Sequence, residues 1–200
     1  MTSPEGVTVR AATADEVDQL PALQVAAGAR FRELGMDLVA DGPPPQCAEL
    51  AQAQAAGHLL VAILEGTVVG FVRLRPLDGA LHVEQVSVAP GWSRRGIGRS
   101  LMLAAETLAS ARGFSRMTLT TFRDVPFNGP FYARLGWSPV DDARLTSGLA
   151  QERRQEDAAG LDRWPRVAMA KVVGGGCRSR RQSGRGGASA QLTGPGSPAV

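Results

Sequence analysis

Gly91, Gly96 and Gly98, interleaved with Arg94, Arg95 and Arg99, are the densest group of residues in this 200-residue chain that could do chemistry. They fall between an apolar strand pattern and the start of an amphipathic helix pattern. A helix N-terminus offers unpaired N–H groups and the positive end of the helix dipole, and glycine lets an anion approach the backbone closely. The dipole contributes about 0.3–1 kcal/mol, and each charged hydrogen bond about 1.5–3 kcal/mol. Together these fit a pyrophosphate. Two nucleotide motifs fail on inspection. Gly91 to Gly96 matches the first half of a P-loop, but Ile97-Gly98 follow where Lys-Ser/Thr belong. Gly96-Ile97-Gly98 opens a dinucleotide fingerprint, but Leu101 occupies the third glycine position. A glycine-rich solvated loop with scattered arginines is the plainer reading of the same residues.

Other groups invite a chemical reading next to a structural one. Tyr132 is the only tyrosine, and it follows Asn128 by four residues, so both project from one helix face. It reads either as a proton donor or as a core aromatic beside Phe131, and Asn128 as a ligand-binding amide or a helix cap. Glu84 is a candidate base or a carboxylate on a solvated strand face. Asp124, just ahead of Pro126, would attract a cationic amine or serve as an ordinary loop acid. His58 and His82 both fall in strand patterns and read as core-edge residues. Two histidines and two cysteines support neither a metal cluster nor a Ser-His-Asp triad, so no metal is expected.

The elements that would position these residues alternate between strand and helix. Val7 to Arg10 reads as a strand, and Thr13 with Glu16 forms a capping-box pattern opening a helical stretch to about Leu34, interrupted near Pro21. A short helix is expected over Ala48 to Ala56. His58 to Leu64 and Val68 to Leu74 form a hairpin through Glu65-Gly66, and Leu81 to Val88 is the next strand. Its apolar parity changes: Leu81 and Val83 are odd, Val86 and Val88 even. One extra residue near Glu84-Gln85, a β-bulge, restores a single apolar face; burial on both faces is the alternative. Ile97, Leu101, Ala104/Ala105 and Leu108 line one face of a helix over about 97–112, closed by Gly113. Met117 to Thr121 is a strand, Gly129 to Leu135 a short helix, and Trp137 to Val140 and Val167 to Val173 the last strands. The pattern is mixed α/β, of the α+β type, with an antiparallel front half and a crossover helix.

Composition bounds the rest. Hydrophobic residues are 44% and charged residues 20%, which is globular. No run approaches 18 apolar residues, so no membrane span is expected, and Met1 to Arg10 lacks a secretory pattern. These features point to the cytoplasm. Of the 22 basic and 19 acidic residues, four arginines and no acid lie in 174–200, leaving 18 against 19 in the remainder. That Gly/Ser/Arg-rich tail cannot bury enough surface to offset chain entropy and is expected to be disordered, leaving 1–173 as one domain. Four tail charges without interleaved aromatics make nucleic-acid binding a weak alternative.

The segment Val83-Glu-Gln-Val-Ser-Val-Ala-Pro-Gly-Trp-Ser-Arg-Arg-Gly-Ile-Gly-Arg-Ser-Leu-Met resembles the acyl-CoA-binding motif of the GNAT superfamily of N-acetyltransferases. About 30 residues on, Asn128-Gly-Pro-Phe-Tyr-Ala-Arg-Leu-Gly-Trp resembles that superfamily's second cofactor motif. The resemblance covers nearly everything but the tail. It departs at Ser93, where the family carries Gln or Arg at the head of Q/R-x-x-G-x-G/A; Arg94 or Arg95 would supply the missing charge.

The resemblance implies a mixed, mostly antiparallel central sheet with splayed middle strands and flanking helices. It also implies transfer of an acetyl group from acetyl-CoA to a primary amine by direct attack. Val86, Ser87 and Val88 would pair with pantetheine, and Arg94, Arg95, Gly96, Ile97, Gly98 and Arg99 would wrap the pyrophosphate. Asn128 would hydrogen-bond the cofactor and Tyr132 would protonate the departing sulfur. Glu84, at the position of the family's bulge, would act as base directly or through water, with Asp124 attracting the amine. A lysine-like amine of pKa about 10.4 costs about 4.6 kcal/mol to deprotonate at pH 7, an α-amine only about 1 kcal/mol, so the demand on the base depends on the acceptor. The acceptor is a small-molecule or peptide amine, and a homodimer is compatible with the reading. A non-catalytic acyl-CoA-binding module of the same fold is the alternative.

Overall fold

The computed structural model describes residues 6–174. The tail expected over 174–200 lies, apart from Gly174, outside the described residues. Seven strands form one sheet: β1 (Thr8–Ala11), β2 (Leu59–Leu64), β3 (Thr67–Leu77), β4 (Ala80–Val88), β5 (Arg116–Phe122), β6 (Ser138–Pro139) and β7 (Arg166–Val172). Their order is β1-β2-β3-β4-β5-β7-β6. Every neighbouring pair is antiparallel except β4 and β5, which are parallel. A parallel pair needs a crossover, and α4 (Ile97–Ala111) supplies it. The α+β class expected from the sequence is the one observed.

Helices cover both faces. α4 buries Ile97, Leu101, Met102, Ala105 and Ala109 against the alternate strand residues Val72, Leu74, Leu81, Val83, Met117 and Leu119. Each large side chain removed from water contributes about 1.5–3 kcal/mol, so α4 is fixed to the sheet by its length, whatever its first turn does. On the opposite face, α1 (Leu20–Gly28) and α3 (Cys47–Ala55) bring Leu20 and Leu50 onto Leu59, Val61 and Phe71. The helical stretch expected up to about Leu34 is present and segmented. Its first break falls between Gln19 and Leu20, beside Pro21, which stands in the first turn of α1, where its missing N–H costs nothing. Single 3₁₀ segments, Ala14–Gln19 and Ala29–Leu34, flank it. A short α2 (Asp37–Ala40) follows. Glu16 takes the Thr13 N–H at 2.8 Å, as the capping-box pattern requires.

Two later helices complete the fold. α5 (Gly129–Arg134) starts against the end of β5. A Cβ at Gly129 would stand 2.2 Å from the Arg123 carbonyl oxygen, so only glycine lets α5 approach this closely. α6 (Ser147–Ala158) lies in a segment that gave no helical signal, since Leu149 is its only buried residue. Gly129→Ala should lower folding stability by about 1–3 kcal/mol through overpacking against main chain. Thermal unfolding checks this, and an unchanged midpoint would show that α5 can retreat freely.

Candidate cofactor cleft

The cleft begins where two strands stop pairing. β4 and β5 share three rungs, Leu81↔Met117, His82↔Thr118 and Val83↔Leu119, and then part. The register between β3 and β4 shifts at the same level: Leu74 faces Val83 while Arg73 faces Gln85, leaving Glu84 as the extra residue. The bulge read from apolar parity is therefore present, and Val86 and Val88 return to the α4 side with Leu81 and Val83. Beyond it, Val86, Ser87 and Val88 pair with β3 through Val72, Phe71 and Gly70 on one side only. Their other edge faces a cavity of about 1210 Å³. That exceeds the usual range for a pocket holding one small molecule.

α4 aims its N-terminus at this cavity. Gly96 is its N-cap residue with φ 82°, and no side chain caps the helix. Arg94 also takes a positive φ, 61°, a conformation costing a non-glycine residue about 1–3 kcal/mol and concentrated at ligand clamps. Left-handed residues at 94 and 96 turn the main chain into a concave run of N–H groups, the shape that binds anions. Arg94, Gly96, Ile97, Gly98 and Arg99 all line the cavity. Arg95 does not: its guanidinium lies 4.7 Å from the Trp92 ring centroid, and Trp92 itself packs on the core.

α5 closes another side. Asn128 donates from Nδ2 to Thr121 Oγ1 at 2.8 Å, and its Oδ1 is buried without a hydrogen-bond partner. Tyr132 is buried in edge-to-face contact with Phe131 and Trp137, with centroids 5.1 and 6.1 Å away. Burial pushes its phenol up to about 12, so it stays protonated at any physiological pH. Asn128 and Tyr132 both line the cavity.

The face opposite α4 is polar. Glu84 Oε1 accepts from Arg75 Nε at 2.8 Å, and its Oε2 lies 3.2 Å from Arg73 Nε. His82 shares a hydrogen bond with Thr118 across the parallel rung, Nδ1 to Oγ1 at 3.0 Å, and burial pushes its imidazole down to about 4. Glu152 and Glu156 of α6 reach the same space. An aromatic group roofs it: Phe31 meets Phe127 and Phe122 with centroids 5.1 and 5.7 Å apart, and the Arg30 guanidinium stacks 3.3 Å from the centroid of Phe127. Arg30 is lowered chiefly by burial, with the nearby positive Arg94 adding to it.

Sequence reading missed Arg30, Phe31, Arg73, Arg75, Glu152, Glu156 and Arg166. Arg73 and Arg75 were legible in principle, since two arginines at i, i+2 in an apolar strand must share one face. Asp124 is a different case. It stands outside the large cavity, half-exposed or more, with Oδ1 3.1 Å from Nε of its neighbour Arg123. Among the described residues, no group of three or more His, Cys, Asp or Glu side chains could hold a metal, and no helix is long and apolar enough to cross a membrane.

Comparison with known proteins agrees with this geometry. The sequence profile of the Acetyltransferase (GNAT) family matches residues 29–137. Mouse N-alpha-acetyltransferase 80 is 48% identical over 86 residues, which is 40% of this chain and 26% of that protein. The match thus spans about a quarter of the relative's length. The PaiA N-acetyltransferase of Thermoplasma acidophilum, solved with coenzyme A, superposes with TM-score 0.62 at 15% identity, covering 83% of this chain and 98% of that one. A GCN5-related N-acetyltransferase from Rhodopseudomonas palustris gives TM-score 0.58 at 24% identity, over 86% and 98% of the two chains.

The depressed imidazole at position 82 has a consequence for stability. The folded state keeps His82 neutral down to about pH 4, whereas an unfolded histidine protonates near 6.5. Stability is therefore complete above about 6.5 and is lost as pH falls toward 4. Between pH 7 and 5 the loss from this group is about 2 kcal/mol. Urea unfolding at pH 7 and pH 5 should show it, and His82→Gln should remove that part of the pH dependence. A variant with the same pH slope as the parent would contradict the assignment.

Proposed function

Because the chain belongs to the GNAT family of acetyltransferases, we propose that it moves the acetyl group of acetyl-CoA to a primary amine by direct attack, as one unit over residues 1–173. One observation carries the reading: an uncapped helix N-terminus behind a left-handed glycine, directed at a slot between two strands that stop pairing. The cavity fits the cosubstrate in kind. The concave turn at 94–98 suits a pyrophosphate, the edge of Val86 to Val88 that pairs with no other strand suits an amide-bearing arm, and the orphaned Asn128 Oδ1 requires a donor. Bound acetyl-CoA supplies an activated thioester carbonyl for an amine to attack.

In this reading Gly96, Ile97, Gly98 and Arg99 hold the pyrophosphate with main-chain N–H groups, and Arg94 adds charge at the same turn. Arg95 contributes only through the long-range field, being stacked on Trp92. Tyr132 gives its phenolic proton to the sulfur that leaves; burial keeps the phenol protonated at neutral pH, so the proton is in place when the thiolate forms. Glu84 keeps a lone pair on each oxygen beyond its two arginines. It orients the amine, or a water that carries off the amine's proton. Asp124 takes no part. We place the reaction in the cytoplasm on the compositional grounds above.

Tyr132→Phe should lower kcat by about 10²-fold, with acetyl-CoA affinity by calorimetry kept within twofold. Because the phenol titrates only near 12, kcat of the parent should not fall between pH 8 and 10 on this residue's account. Unchanged turnover in Tyr132→Phe would remove the acid role. Gly96→Asp combines a side chain at φ 82° with a negative charge at the anion turn, and should weaken acetyl-CoA binding at least tenfold. Thiol release against an amine panel separates the enzyme from its rival: acetyl-CoA binding without thiol release on any amine would indicate a binding module.

A further inference from the structure

The sheet consists of two blocks. One is β1-β2-β3-β4, the other β5-β7-β6, and the backbone ladder between them has only three rungs among the described residues. Nothing in that ladder sets how far the strands diverge beyond Val83 and Leu119. On one face α4 packs apolar side chains on both blocks. On the other face α6 spans the blocks beside the Phe31–Phe122 contact, and the ties it makes to the strands of the two blocks are polar.

Those attachments divide by block. At the start of α6, Gly148 N donates to Asp78 Oδ2 at 2.7 Å, in the turn joining β3 and β4. Glu152 Oε1 accepts from Arg75 Nη2 at 2.6 Å, and the same guanidinium holds Glu84 on the bulge. One turn later the partners belong to the other block. Glu156 accepts from Thr120 of β5 and from Arg166 of β7, whose Nε lies 3.2 Å from Oε2. Arg153 supports it at 2.7 Å. Glu152 and Glu156 are four residues apart, so they share a helix face, and that face lines the cavity.

We propose that α6 is a brace across the parting strands, with Glu152 tied to one block and Glu156 to the other, so that the pair fixes the width of the slot. Both are positioning residues. They act on the reaction by setting where Tyr132, on the β5 side, stands relative to Val86 to Val88, on the β4 side. The catalytic part of this inference rests on the slot being the seat of acetyl-CoA; the mechanical part does not.

The test measures the slot directly. Spin labels placed through Thr67→Cys and Asp124→Cys, in a full-length chain carrying Cys47→Ser and Cys177→Ser, report the distance across the open end by pulsed electron resonance. A narrow distribution is expected for the braced protein. Glu152→Ala and Glu156→Ala should each broaden or shift it, and the double variant should go little further, because one lost carboxylate already slackens the brace, the Gly148–Asp78 tie that remains on the β4 side being a single exposed hydrogen bond. Glu152→Gln, at a partly exposed site, serves if an alanine variant fails to fold. At saturating acetyl-CoA each single variant should lose about tenfold or more in kcat, while acetyl-CoA affinity by calorimetry stays within threefold. An unchanged distance distribution in both single variants, or a change in the double variant alone, would overturn the brace. If the parent releases no thiol with any amine, the acetyltransfer reading fails, and the distance measurement still decides the brace.

Discussion

Buried backbone N–H and C=O groups require partners, and a strand inside a sheet ordinarily finds them on both sides. Here β4 and β5 give each other three rungs and no more. From Glu84 onward each strand pairs only outward, β4 with β3 and β5 with β7. The inner edges border a large cavity in the middle of the molecule. Most of the fold follows from keeping that opening without losing the sheet. The bulge at Glu84 turns the strand as the gap opens. α4 ties the blocks by burial on one face and delivers an uncapped N-terminus to the mouth of the gap. α5, seated on β5 by the close approach at Gly129, brings Asn128 and Tyr132 to the far wall.

The two faces of the sheet are stabilised by different physics, and this shaped what the sequence could disclose. The α4 side is an apolar interdigitation whose periodicity is written in the residues. Leu81 and Val83 against Val86 and Val88 disclosed the bulge within one residue of its position, and the 97–111 helix was readable from Ile97, Leu101 and Leu108. The open side is a lattice of arginines and glutamates from β3, β4, β7 and α6, joined by Thr120 of β5. Its members come from positions 73, 75, 84, 120, 152, 156 and 166, and nothing local links Glu84 to Arg75 or Glu156 to Arg166. α6 escaped notice because an apolar stripe is the signal a sequence offers, and this helix buries one leucine.

The glycine–arginine turn ahead of α4 and the Asn128–Tyr132 pair stood out in the sequence because their spacing is local, and the structure places Gly96 at φ 82° before an uncapped first turn and both side chains against the cavity. Asp124 shows the limit of that approach. Its neighbourhood in sequence, close to Asn128 and Pro126, placed it near the chemistry, but the end of β5 turns its carboxylate outward onto Arg123. Arg95 is similar: its spacing fitted a phosphate ligand, and the nearest π face, Trp92, claimed it.

The central claim is that the unpaired edge of β4 and the N-terminus of α4 bind one and the same molecule. Amide chemical shifts followed during titration with acetyl-CoA test this most directly. The account predicts saturable shifts at Val86 and Val88 together with Ile97, Gly98 and Arg99, all with a single midpoint. Shifts confined elsewhere, or saturation with both segments unmoved, would contradict it.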